Sequence, residues 1–114
     1  MMGVQFSLPA PNNKKGDSMQ QVDKIVGQGK IAIVDFYAEW CGPCKSLKPI
    51  LDKIVNENAD VELVKIDIEK HMDLAQENQV RSVPTIMICS QKGKETLLGM
   101  MPENKIVEVI EKLR

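Results

Sequence analysis

From Ile31 to Tyr37 the chain is almost continuously apolar, β-branched and aromatic, and only Asp35 interrupts the run. Such a stretch predicts a central strand covered on both faces. Alternation marks other segments. Val4, Phe6 and Leu8 alternate with polar residues and predict a short, half-buried first strand, followed by a loop from Pro9 to Gly16. Val61, Leu63 and Lys65, interleaved with Glu62, Val64 and Ile66, predict a third strand. Thr85 to Cys89 is an apolar strand, and Gln91, Lys92 and Gly93 form a turn into an antiparallel partner from Glu95 to Leu98.

Helical spacing occupies the intervals. Ser18 and Gln21 have capping-box spacing, and Met19, Val22, Ile25 and Val26 recur at helical intervals until Gly27 and Gly29. Leu47, Ile50, Leu51, Ile54 and Val55 form a second stripe, which Pro49 is expected to kink because it lacks an N–H. A shorter helix is predicted over His71 to Gln79, and a loop from Arg81 to Pro84 follows. Pro102 opens a last helix whose Ile106, Val109, Ile110 and Leu113 share one face, its lysines and glutamates forming a solvated side. The strand, helix and strand from Ile31 to Ile66 imply a parallel pair with a right-handed crossover. An α/β domain results, a mixed sheet of about five strands with about four helices on both faces.

The length of 114 residues suits one domain, 1–114, with one core. Fifteen basic residues against sixteen acidic argue against a surface built to neutralise phosphates or a membrane, so no nucleic-acid and no membrane partner is expected. The lysines near the N-terminus follow the apolar residues, the reverse of a secretory signal, and the longest uncharged stretch of the C-terminal half, Ser82 to Gln91, is half the roughly 20 residues a membrane span needs. Three cysteines are too few for a disulfide scaffold, so a reducing, cytoplasmic setting is expected.

Chemistry concentrates in Trp40-Cys41-Gly42-Pro43-Cys44-Lys45, where the central strand passes into a helix. Residues three apart lie about one helical turn apart, so their sulfurs can bond without unwinding the helix. Cys41, at or before the first turn, faces unpaired N–H groups and the positive end of the macrodipole, which favour a thiolate and make it the candidate nucleophile. Cys44, one turn further in, is expected to be more buried and to resolve the mixed disulfide. Pro43 stiffens the turn, and Gly42 lets a substrate backbone approach. Zinc is the rival reading of this spacing, but it requires Cys41, Cys44, His71 and Cys89 to converge from separate elements.

The run Val34-Asp35-Phe36-Tyr37-Ala38-Glu39-Trp40-Cys41-Gly42-Pro43-Cys44-Lys45 resembles the active-site segment of thioredoxins. The resemblance extends from about Val4 to the C-terminus through Pro49, Lys65, Val83-Pro84-Thr85, the hairpin, Gly99 and the last helix. It implies the thioredoxin fold and a thiol–disulfide oxidoreductase that reduces protein disulfides through Cys41 and Cys44. It further implies a cis peptide before Pro84, opposite the dithiol, and a substrate groove of Trp40, Gly42, Pro43, Val83, Pro84 and Gly99, with Met100 beside it. Tyr37 stands where bacterial members often carry tryptophan, and Met100 and Met101 replace smaller residues; they adapt to partner surfaces or serve as packing.

On an apolar strand, Asp35 is expected to have a raised pKa. The resemblance makes it the proton acceptor for the resolving cysteine, with Lys65 nearby; without the motif it would read as a solvated strand-end aspartate. Trp40 reads as a substrate platform rather than core, His71 takes no role, and Cys89 is by default an inert buried thiol, with a regulatory or dimer-forming cysteine as the alternative. No bound cofactor and no metal are required. The resemblance implies a flavin- and NADPH-dependent thioredoxin reductase as electron source, disulfide-containing clients such as peroxiredoxins, and a monomer. Two rivals remain: an oxidant or isomerase, which would typically carry His after the second cysteine and an export signal, and a binding module that uses the groove without turnover.

Overall fold

A computed structural model describes residues 14–114 as four strands and four helices, in the order α1 (Lys14–Gly27), β1 (Ile31–Tyr37), α2 (Gly42–Glu57), β2 (Val61–Asp67), α3 (Met72–Glu77), β3 (Thr85–Ser90), β4 (Gly93–Leu98) and α4 (Glu103–Leu113). The strand expected at Val4, Phe6 and Leu8 lies outside the described residues, so the sheet of about five strands is four among those described.

Strand order is β2-β1-β3-β4. β1 pairs in parallel with β2 and antiparallel with β3, while β3 and β4 form the hairpin. Because strand side chains alternate between faces, β1 serves two cores. Ile31 and Ile33 meet Ile86, Ile88 and the apolar stripes of α2 and α4, including Leu47, Leu51, Ile54, Ile106 and Ile110. Ala32, Val34 and Phe36 pack on the other side with Val22 and Ile25 of α1 and Leu74 of α3. The expected doubly covered strand is thus present with both ends where the sequence placed them, and every residue from Ile31 to Phe36 is buried.

Three expectations need correction. The predicted loop to Gly16 ends earlier, because α1 begins at Lys14 and carries Gly16 within it. Ser18 therefore sits a turn inside the helix; a Ser-x-x-Gln spacing alone does not fix a start when the preceding residues can also be helical. Second, α3 covers Met72–Glu77 rather than the predicted His71 to Gln79; α2 is continuous through the exposed Pro49. Third, the hairpin closes tighter than expected, with Ser90 opposite Gly93, leaving only Gln91 and Lys92 in the turn. Gly93 holds φ at 148°, and Ser90 Oγ accepts from the Lys92 N–H at 3.0 Å while donating to the Leu113 carbonyl at 2.7 Å.

α3 is shorter than its predicted span and ends on an unusual residue. Gln79, exposed, takes φ 59°, and the Val80 N–H returns to the Ala75 carbonyl at 2.8 Å. A side chain with a Cβ is strained in this left-handed conformation, which glycine adopts freely. Gln79→Gly is therefore expected to raise stability by about 0.5–1 kcal/mol, after the entropy glycine loses on folding; a lower denaturant midpoint in the variant would contradict this.

Candidate active site

β1 ends at Tyr37, and a short turn through Ala38, Glu39 and Trp40 delivers the chain to the N-terminus of α2. Cys41 is the N-cap residue: its backbone is extended (φ −87°, ψ 113°), and its Sγ accepts the Cys44 N–H at 3.2 Å. Gly42 and Pro43 occupy the first turn, where the N–H that proline lacks has no intrahelical partner to lose. Cys41 and Cys44 are joined by a disulfide with their Cα atoms 5.3 Å apart. No acidic residue stands in the first turn of α2, so nothing there opposes the attraction of the helix N-terminus for a thiolate once the bond is reduced.

The expected difference in burial between the two sulfurs is not seen in this oxidised form, for Cys41 is 4% and Cys44 5% exposed. In this disulfide-bonded form both cysteines pack with Ala38 against Tyr37, Ile68 and Val83. What separates them is position: one is the cap and the other lies within the helix.

The loop before β3 forms the opposing wall. The Val83–Pro84 peptide is cis, as the resemblance implied, and Val83 reaches the dithiol cluster. The Gly99 N–H donates to the Pro84 carbonyl at 2.9 Å, with Gly99 at φ 79°. This bond ties Gly99 to the cis-proline segment. Met100 is exposed, whereas Met101 packs on the core formed with α2 and α4, so the two methionines divide between surface and packing. Trp40 is 67% exposed, outside the core, and its indole N–H donates to Glu69 Oε2 at 2.7 Å. Glu69 went unnoticed in the sequence. Its own backbone N–H is held by the Asp67 carboxylate at 2.9 Å, just beyond β2, and nothing in an isolated Glu among charged residues signals a partner 29 positions away.

Asp35 lies on the face of β1 that carries Ile31 and Ile33. It is 2% exposed, Oδ1 has no hydrogen-bond partner among the described residues, and the parallel register sets it beside Lys65. Burial pushes its pKa from 3.8 up to about 6, against the opposing pull of the Lys65 ammonium. A pocket of about 270 Å³ is lined by Asp35, Lys65, Tyr37 and Cys44, among others, so Asp35 and Cys44 border one small space, large enough for water.

The remaining candidates lie apart. Cys89 pairs with Ala32 at the far end of β3 from Pro84. Four residue steps of strand carry it about 13 Å from Thr85. It is half-buried rather than fully buried, and desolvation raises its pKa. His71 caps α3 without a side-chain bond. The zinc reading needed these two beside the dithiol, and among the described residues no group of three or more His, Cys, Asp or Glu side chains is placed to hold a metal. No described helix is long and apolar enough to cross a membrane.

Comparison with known proteins agrees with this geometry. The thioredoxin family profile matches residues 15–112. A thioredoxin of Mycoplasmoides gallisepticum is 36% identical over 93 residues, covering 80% of this chain and 92% of that protein. Among solved structures, a thioredoxin of Nicotiana alata superposes with a TM-score of 0.77 at 31% identity, covering 87% of this chain and 86% of the other. A chain from a study of the thiol resolving mechanism in yeast mitochondrial 1-Cys peroxiredoxin via glutathione/thioredoxin systems superposes with a TM-score of 0.72 at 29% identity, covering 83% and 89%.

The Asp35 carboxyl gives a pH signature. Its folded pKa lies above the unfolded one, so the native state binds more protons between about 4 and 6, and stability is lost as pH rises through that window. Relative to wild type, Asp35→Ala is expected to gain on the order of 2 kcal/mol between pH 4 and pH 7. The measurement is the difference in unfolding free energy of the two oxidised proteins across that range; a flat difference would contradict it.

Proposed function

The chain belongs to the thioredoxin family and is a thiol–disulfide oxidoreductase, and from that premise we propose the following division of labour for its site. Cys41 is the attacking sulfur, Cys44 the resolving one, Asp35 the group that takes the proton from Cys44, and Lys65 the charge that moderates Asp35. Trp40, Gly42, Pro43, Val83, Pro84 and Gly99 form the groove that receives the substrate segment. The observation that carries this reading is the cap geometry of Cys41, whose sulfur already accepts a backbone N–H at the start of α2.

Each electron pair can be followed. The Cys41 thiolate attacks one sulfur of a client disulfide; the bond from Cys41 Sγ to that sulfur forms, the client S–S bond breaks, and its second sulfur leaves as a thiolate. Cys44 gives its proton to the Asp35 carboxylate through the shared pocket, and its thiolate attacks Cys41 Sγ. The Cys41–Cys44 disulfide forms, and the client's first sulfur departs as a thiolate that is protonated in turn. The client gains two electrons and the protein loses two. A carboxyl with a pKa about 6 is matched to this transfer near neutral pH.

In this reading the cycle closes when a flavin- and NADPH-dependent thioredoxin reductase returns the two electrons, and the clients include peroxiredoxins. The similarity to a chain studied with a 1-Cys peroxiredoxin supports the latter. We further infer that 1–114 carries a single thioredoxin domain acting as a monomer in the cytoplasm, maintaining redox homeostasis without a bound cofactor.

Reduction of insulin disulfides by the protein with excess dithiothreitol tests the assignment. Wild type is expected to accelerate precipitation over the dithiothreitol background and Cys41→Ser to abolish the acceleration. Cys44→Ser, reduced first, freed of dithiothreitol and then mixed with insulin, is expected to accumulate a mixed disulfide with substrate, visible by mass on a non-reducing gel. Acceleration that survives Cys41→Ser would sink the division of roles. No acceleration by folded, reduced wild type would favour a binding module, whose partner capture a Cys41→Ser, Cys44→Ser double variant would retain.

A further inference from the structure

Tyr37 has no part in the electron transfer, yet it lines the pocket shared by Asp35 and Cys44. Alternation along β1 puts Asp35 and Tyr37 on one face, and the register with β2 sets Lys65 beside Asp35 on that same face. The Lys65 ammonium stands over the Tyr37 ring, 5.0 Å from its centroid, within the range at which the ring face attracts a cation. Oδ1 of Asp35, meanwhile, accepts no hydrogen bond from Lys65 or from any other described group. A flexible lysine beside a buried carboxylate whose Oδ1 accepts no hydrogen bond thus stands over an aromatic face.

We propose that Tyr37 is a positioning residue for the resolving step: its ring holds the Lys65 ammonium off Asp35, which leaves the carboxyl free to accept the Cys44 proton. This rests on the reading of Asp35 as proton acceptor. The groups that face Asp35 are Lys65 from β2, Glu39 from the turn after β1, and Cys44, Lys45 and Lys48 from the start of α2; its β3 neighbour is the apolar Ile86. Of the cations, Lys65 is the one whose field acts appreciably on Asp35. Its four-carbon stem can swing. Direct pairing at ion-pair distance lowers a carboxyl further than a charge held away from it, and a carboxylate locked in such a pair is a poor proton acceptor near neutral pH.

The test is a titration of Asp35 followed by carboxyl carbon NMR in the oxidised protein, alongside the pH dependence of release of 5-thio-2-nitrobenzoate from its mixed disulfide with Cys41. Tyr37→Leu is expected to lower the Asp35 midpoint by about one unit and to move the release profile down with it, whereas Tyr37→Phe leaves both in place. In a Lys65→Met background, Tyr37→Leu is expected to move neither. A midpoint that stays or rises in Tyr37→Leu, or falls equally without Lys65, overturns the proposal. Should the leucine variant fold poorly, pentafluorophenylalanine at position 37 keeps the shape of phenylalanine while reversing the charge of the ring face, and the same downward shift is expected. A midpoint that falls while the release profile stays fixed overturns the role of Asp35 in resolution and with it the proposal as stated, although the hold of Tyr37 on Lys65 would stand.

Discussion

Burial of β1 from both sides is the constraint from which the rest of the molecule follows. One set of its side chains closes the core with α2 and α4, the other closes the core with α1 and α3. A strand fixed this firmly ends in a fixed place, and the turn that leaves it can present a helix N-terminus with little freedom of its own. The reactive sulfur needs that rigidity, because its stabilisation comes from N–H groups and a dipole that act only over the first turn. The same burial strips water from Asp35, which occupies a core position on the strand without a core side chain. The scaffold and the raised pKa of Asp35 therefore share one cause.

Two charged groups show how this fold treats polarity near its site. Asp67 is buried but spends its carboxylate on the backbone of Glu69, which in turn anchors the Trp40 indole. Asp35 is buried to a similar degree and leaves Oδ1 without any such bond. The first arrangement is structural: a satisfied carboxylate shapes the turn after β2 and brings an acceptor to the exposed tryptophan. The second is a retained cost, of the kind expected where a group must change protonation state during turnover.

Much of this was legible in the sequence because the signals were redundant. Ile31 to Tyr37 could be bounded at both ends since a doubly buried strand admits almost no polar residue, and Cys41 could be placed because a strand, a proline and a helical stripe all met there. Sequence and structure part where a single local signal stood alone: Ser18 and Gln21 carry a capping spacing inside a helix that starts earlier. The bonds between elements were the least visible. Neither the indole of Trp40 on Glu69 nor the ammonium of Lys65 over Tyr37 leaves a local pattern, since each depends on how distant segments are brought together by the sheet.

Cys89 gives the chain an odd number of cysteines, set at the opposite end of β3 from the cis-proline, where desolvation raises its pKa. That separation bears on how the protein counts. With its third sulfur beyond reach of the other two, the chain has a single intramolecular exchange to make, and no shuffled isomer competes with it. The molecule behaves as a two-position switch whose settings differ by a whole electron pair.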